Sequence, residues 1–242
     1  MKLFPTIEEV FKEPKEHYKY IFFPLLTLVL EEHNLGKGLV HFVSVWGNGD
    51  PDNELDPGNF EYNYIKFNRE GNKYVFNGKL DEIDTFKDIE KWYNEADKEY
   101  QENKGDYLKQ RERNEVSESN LQKNLDRREK VGFDYYHYSK GIFNYWITRD
   151  KYLETGKFIQ GGFYSDAESG HEREIFEQIG GEIDYDEFEY FIELLEQLNE
   201  NKEAKQFIGS LTGYDYLSFG EDKIHLFLDN KKNEVLLYSD WS

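Results

Sequence analysis

Hydrophobic and polar residues follow two different periods along this chain. LVHFVSVW, residues 39–46, is dense in β-branched and aromatic residues and predicts a buried strand. FEYNYIKF, 60–67, alternates aromatic with polar positions, and after REGN the run KYVFNG completes a hairpin turning at Glu70, Gly71 and Asn72. A strand at 206–211 and a loop at 212–222 lead to a second hairpin, in which IHLFLD and EVLLYSDW pair across NKKN. FDYYHYSKGIFNYWITRD, from residue 133, and GKFIQGGFYSD, 156–166, are aromatic-rich and also predict strands.

Elsewhere the period is helical. Ile7, Val10 and Phe11 open an apolar face that predicts a mainly helical stretch over 6–34, interrupted at Pro14 and Pro24 and ended by NLGKG. Phe86, Ile89, Trp92, Tyr93, Ala96 and Tyr100 lie on one helical face. So do Phe188, Phe191, Ile192, Leu195 and Leu198, preceded by Gly180-Gly181 and by Asp184 and Glu187 at capping-box spacing. Apolar residues thin out over 101–130, which predicts a polar helical arm or linker. Together these elements predict an α+β fold over 1–242: one domain, mostly antiparallel sheet with packed helices and that polar helical excursion.

Composition changes the picture in two ways. An apolar fraction of 38% is low for a folded chain of 242 residues, but aromatics at 17% supply enough buried area for a core. The net charge of −20 sets nucleic acid and anionic membranes against the chain as partners, because each is a polyanion. A basic protein partner suits it. With no cysteine, disulfides and thiolate-held zinc are excluded. The first twenty residues lack an apolar leader core, and the longest apolar run, YIFFPLLTLVL, is too short to span a bilayer. A soluble, cytoplasmic protein is expected.

The charge is concentrated. Residues 166–200 hold thirteen acidic groups against Arg173 alone, over half of the chain's net charge. Within them Asp186, Glu189, Glu193, Glu196 and Glu200 recur every three or four positions and form an acidic stripe beside the apolar one. Like charges at that spacing work against a helix, and no lysine at i+4 relieves them. The stripe is therefore the candidate partner-binding site.

Candidate chemistry is thin. The six histidines, His17, His33, His41, His137, His171 and His225, include no i,i+4 pair and no HExxH. His171 beside Glu172 and Glu174 reads as exposed loop rather than metal site. Asp50, Asp52, Glu54 and Asp56 alternate as calcium ligands do, but Leu55 stands where an EF-hand loop needs glycine. No phosphate loop, dinucleotide fingerprint or GxSxG occurs, so no catalytic residue, cofactor or metal is assigned.

FIGSLTGYDYLSFGEDKIHLFLD resembles the C-terminal part of the YwqG-like family of bacterial proteins, through Phe207, Gly209, Gly220, Asp222, Leu226 and Phe227. Ser210 departs from the glutamine common in that pattern. The resemblance covers about 25 residues of strand and turn. It implies a mixed α/β fold, no established activity and no site residues. The functional expectation is an acidic protein-binding module, most concretely a bacterial immunity-type protein neutralising a basic toxin. The alternative is an enzyme acting on a small polar substrate through a His/carboxylate pair that the sequence does not nominate.

Overall fold

Pairing of apolar strands organises the larger part of the chain. The computed structural model describes residues 1–47, 59–61, 63–109, 118–161, 172–182, 189–197, 200–217 and 220–241. The protein is α+β, and every ladder between its named strands is antiparallel. The chain clusters into two compact units. The first comprises Met1–Asp84, Phe176–Leu211 and Asp222–Ser242, and the second Thr85–Ile175 and Thr212–Glu221.

The first unit opens with strand β1 (Lys2–Leu3) and short helices α1 (Ile7–Val10) and α2 (Tyr18–Ile21). Strands β2 (Phe22–Val29) and β3 (Leu39–Val45) complete a three-stranded sheet in the order β1-β2-β3. This corrects the helical expectation over 6–34. The run FFPLLTLV is buried almost throughout, and a fully buried strand shows no period by which to tell it from a helix. Pro24, which has no N–H to give a ladder, sits where the β2–β3 register shifts.

A second sheet holds β4 (Phe60–Glu61), β5 (Tyr64–Glu70), β6 (Lys73–Val75), β7 (Gln178–Ile179), β8 (Lys205–Leu211), β9 (Lys223–Asp229) and β10 (Glu234–Asp240). Its order is β4-β5-β10-β9-β8-β7, with β6 on β5. Both predicted hairpins and the strand at 206–211 are present. Helix α6 (Glu189–Gln197) lays Phe191 and Leu195 on Tyr64, Phe207, Phe227, Leu236 and Tyr238. Phe191 meets the Phe227 ring at 4.4 Å and the Tyr238 ring at 4.9 Å. A separate aromatic cluster joins Phe11 and Phe22 to Phe67, and Phe22 to Phe76.

The second unit is helical: α3 (Phe86–Lys109), α4 (Glu118–Val131), α5 (Phe133–Thr155) and α7 (Gly213–Leu217). The polar stretch 101–130 is helical on both sides of residues 110–117, which lie outside the described residues. Arg127 of α4 grips Glu99 of α3 with two hydrogen bonds, at 2.8 and 3.0 Å. α5 corrects the strand expectation from residue 133. It is buried along almost every side from Tyr138 to Thr148, so its sequence lacks an amphipathic stripe. Its length was the better guide, and Gly156 closes it in the left-handed conformation. Tyr93 and Tyr100 of α3 pack on Trp146 of α5 at 5.6 and 5.1 Å. Asp150 of α5 accepts hydrogen bonds from Tyr100 and Arg149 and pairs with Lys104. Of the strand expected over 156–166, one bridge forms, Ile159 with Glu172, and 162–166 lie outside the described residues. Part of the loop expected over 212–222 is α7.

Gly209 explains one feature of the Phe-x-Gly pattern. It follows a register shift in β8, and a Cβ there would lie 2.6 Å from the Gln178 carbonyl oxygen of β7. Gly209→Ala is expected to push β7 away and cost about 1–3 kcal/mol. Faster hydrogen exchange at the Glu177 and Gly180 amides, which donate to Ser210 and Ile208, would report it.

Candidate functional site

The acidic stripe does not survive as one surface. Phe191 and Leu195 turn into the core, so α6 presents Glu193 and Glu196 to solvent. Glu189 opens the helix, and Asp186 lies outside the described residues, as do Asp184, Glu187, Phe188 and Leu198. Glu200 leaves the stripe. The spacing assumes a helix running through residue 200, but α6 ends at Gln197 and the Glu200 N–H donates back to the Leu195 carbonyl at 2.7 Å. Its carboxylate is thereby carried inward, with 7% of the side chain exposed.

There it joins a row of charges laid out by strand register. Lys205 of β8 stands opposite Asp229 of β9, and Asp229 opposite Glu234 of β10. Directly opposed residues share a face, and this is the face α6 covers. Lys205, 1% exposed, donates to Asp229 at 2.8 Å and to Glu200 at 2.9 Å. Lys232 reaches Glu200 at 2.6 Å, and Lys66 lies 3.6 Å from it. The other Asp229 oxygen accepts the N–H groups of Lys231 and Lys232, closing the NKKN turn. Burial pushes both carboxyls up, but the lysine bonds outweigh it and hold Glu200 and Asp229 below their ordinary values. Lys232 is raised in turn by its bond to Glu200. Carboxylate oxygens of Glu200, Asp229 and Glu234 come within 4.8 Å of one another, the spread of a metal site. The Lys205 ammonium already bridges two of them, so a divalent ion would have to displace it. Sequence spacing missed this row, because its members meet only through the ladder.

His41 of β3 is set in a cavity of about 470 Å³. Its Nε2 lies 2.8 Å from the Asn72 carbonyl, which can only accept, so Nε2 carries the proton. Nδ1 then accepts from the Thr27 hydroxyl at 2.8 Å. Burial lowers its pKa to about 4. A neutral imidazole engaged at both nitrogens is a poor base, so the His/carboxylate chemistry expected of an enzyme gains nothing here. His225 of β9, between the Phe207 and Tyr238 rings, is likewise lowered by burial to about 4. His171 and the Asp50, Asp52, Glu54 and Asp56 loop lie outside the described residues.

No protein-family model matches the chain, and neither a curated protein nor a solved structure matches it. No helix among the described residues is long and apolar enough to cross a membrane.

Two outcomes follow from these buried groups. Lys205→Met removes the buried ammonium that Asp229 and Glu200 share, leaving Asp229 Oδ2 without its cation while Glu200 keeps Lys232, and is expected to cost about 3–5 kcal/mol in urea unfolding, with Lys205→Met/Glu200→Gln recovering part of it. For His41 and His225 the folded pKa lies below the unfolded value near 6.5, so the unfolded chain alone takes protons between pH ~6.5 and ~4. Stability should fall as pH drops through that window, by on the order of 3 kcal/mol per histidine at its lower end. The Glu200 and Asp229 contribution persists there and is lost only in stronger acid, as pH falls through their depressed values. Urea midpoints at pH 7 and pH 4.5 measure the first loss.

Proposed function

We propose that this chain is an acidic protein-binding module that docks a basic partner on the outer face of α6. The observation that carries the reading is the division of labour along that helix. Phe191 and Leu195 anchor it in the core, while Glu193 and Glu196 are exposed and lie one helical step apart. Carboxylates held on a rigid element, in a chain of net charge −20, speed encounter with a cationic surface and help to select it. Glu189 and Asp186 continue the same three- and four-residue spacing in the sequence. Glu200 serves differently, by tying the end of the helix to Lys205 and Lys232.

The most concrete form of this reading is a cytoplasmic, bacterial immunity-type protein that neutralises a basic toxin. Masking a cationic active surface needs a dense, preorganised anionic one, and it needs no catalytic group of its own. The YwqG-like resemblance adds no activity and no site residue to this reading.

Glu193→Lys/Glu196→Lys leaves the buried anchors untouched and should keep the near-ultraviolet circular dichroism of the parent. Basic proteins that the immobilised parent retains at low salt and releases at high salt should pass through the variant. Retention of the same set by the variant would sink the proposal.

A further inference from the structure

The cavity beside His41 is built from one face of the first sheet. Register sets Lys2 and His41 on either side of Thr27, and Val29 opposite Leu39 two positions further along, so all five share a face. Thr27, Val29 and Leu39 give an apolar floor, and His41 is a neutral wall. The rim comes from α1 and from the turn between β5 and β6. At about 470 Å³ it falls in the range of small-molecule sites.

The rim is polarised. Lys2 pairs with Glu9, whose other oxygen accepts the Thr6 N–H, so this pair is satisfied internally. Lys73 gives one proton to the Glu8 backbone carbonyl at 2.6 Å and pairs with no carboxylate among the described residues. The Asn72 side-chain oxygen accepts the Leu39 N–H, which leaves its NH₂ as a further donor at the rim. Glu8 is exposed, and its carboxylate has no ion pair among the described residues. Met1 also lines the cavity, and its terminal ammonium is held by Glu32 at 3.3 Å, so beyond these internal pairs one cation, one amide donor and one anion stand over an apolar floor.

We propose that this cavity binds a small zwitterion with an apolar side chain, such as a free apolar α-amino acid. Lys73 and the Asn72 NH₂ take the carboxylate, Glu8 takes the ammonium, and the side chain lies on Val29 and Leu39. A plain carboxylate would face Glu8 uncompensated, and a plain amine would face Lys73, so each is disfavoured by the group that the zwitterion satisfies. No residue of α6 lines the cavity, and its test does not depend on the protein-binding reading.

L-Leucine, 4-methylpentanoate and 3-methylbutylamine share one branched chain and differ only in which charged groups they carry. Titrating each into the intact protein and following the assigned His41 ring protons by NMR reads occupancy at this wall. Leucine is expected to shift them saturably and to bind at least tenfold tighter than either analogue. Lys73→Met should erase the preference over 3-methylbutylamine, and Glu8→Gln the preference over 4-methylpentanoate. Both substitutions are at the rim, and an unchanged amide spectrum checks that the fold is kept. No saturable shift with leucine up to ~10 mM, short of millimolar affinity, would overturn the proposal. So would equal binding of the three compounds, or preferences that survive both substitutions.

Discussion

Strands β9 and β10 are buried along both faces, and the rest of the first unit follows from that constraint. A strand with apolar residues at consecutive positions must be covered twice. On one side Phe227, Leu236 and Tyr238 call for a helix, and α6 supplies Phe191 and Leu195. On the opposite side of the pleat, alternate residues such as Leu226, Leu228, Val235 and Leu237 are buried as deeply. A chain whose mean hydropathy is −0.88 meets this demand by concentrating large aromatic residues in its interior rather than by being apolar throughout.

The charged row at the end of the α6-covered face shows how such a chain handles its surplus of acids. Lys205, Asp229 and Glu200 form no favourable exchange with an apolar core of equal volume; buried ion pairs rarely do. What the row provides is definition. Lys205 lies on β8, Asp229 at the end of β9, and Glu200 just beyond α6, so satisfying the ammonium sets where the helix ends against the sheet. That placement leaves Glu193 and Glu196 outward and withdraws Glu200 from them.

Legibility in the sequence tracked how many sides of each element are buried. β5 with β6, β9 with β10, and α3 were readable because turn residues or a one-sided apolar face marked them. β2 and α5 were not, because burial on all sides erases the period that separates strand from helix, and aromatic content alone then misleads. The layout of the acidic residues on α6 was half legible. Spacing put Glu193 and Glu196 on the exposed side of α6, as they are, but it extended the helix three residues too far and so placed Glu200 on the wrong side. Lys205, Asp229 and Glu234 meet through strand register, and the floor around Thr27 and His41 does too. Such long-range pairings leave no mark at any fixed interval along a chain.

The two ends of the seven-stranded sheet have a consequence for how the protein behaves in a crowded solution. β4 and β7 are two residues long each, and β6, which shares the outer side of β5 with β4, is three. An edge that short exposes too few backbone donors and acceptors to template an incoming strand, so the sheet resists extension into an aggregate. Gly209 permits the close seating of β7 that protects this margin. Long-range electrostatic repulsion between copies of the protein and stunted edges thus guard the same aromatic-rich sheet at different distances, and salt would weaken only the first.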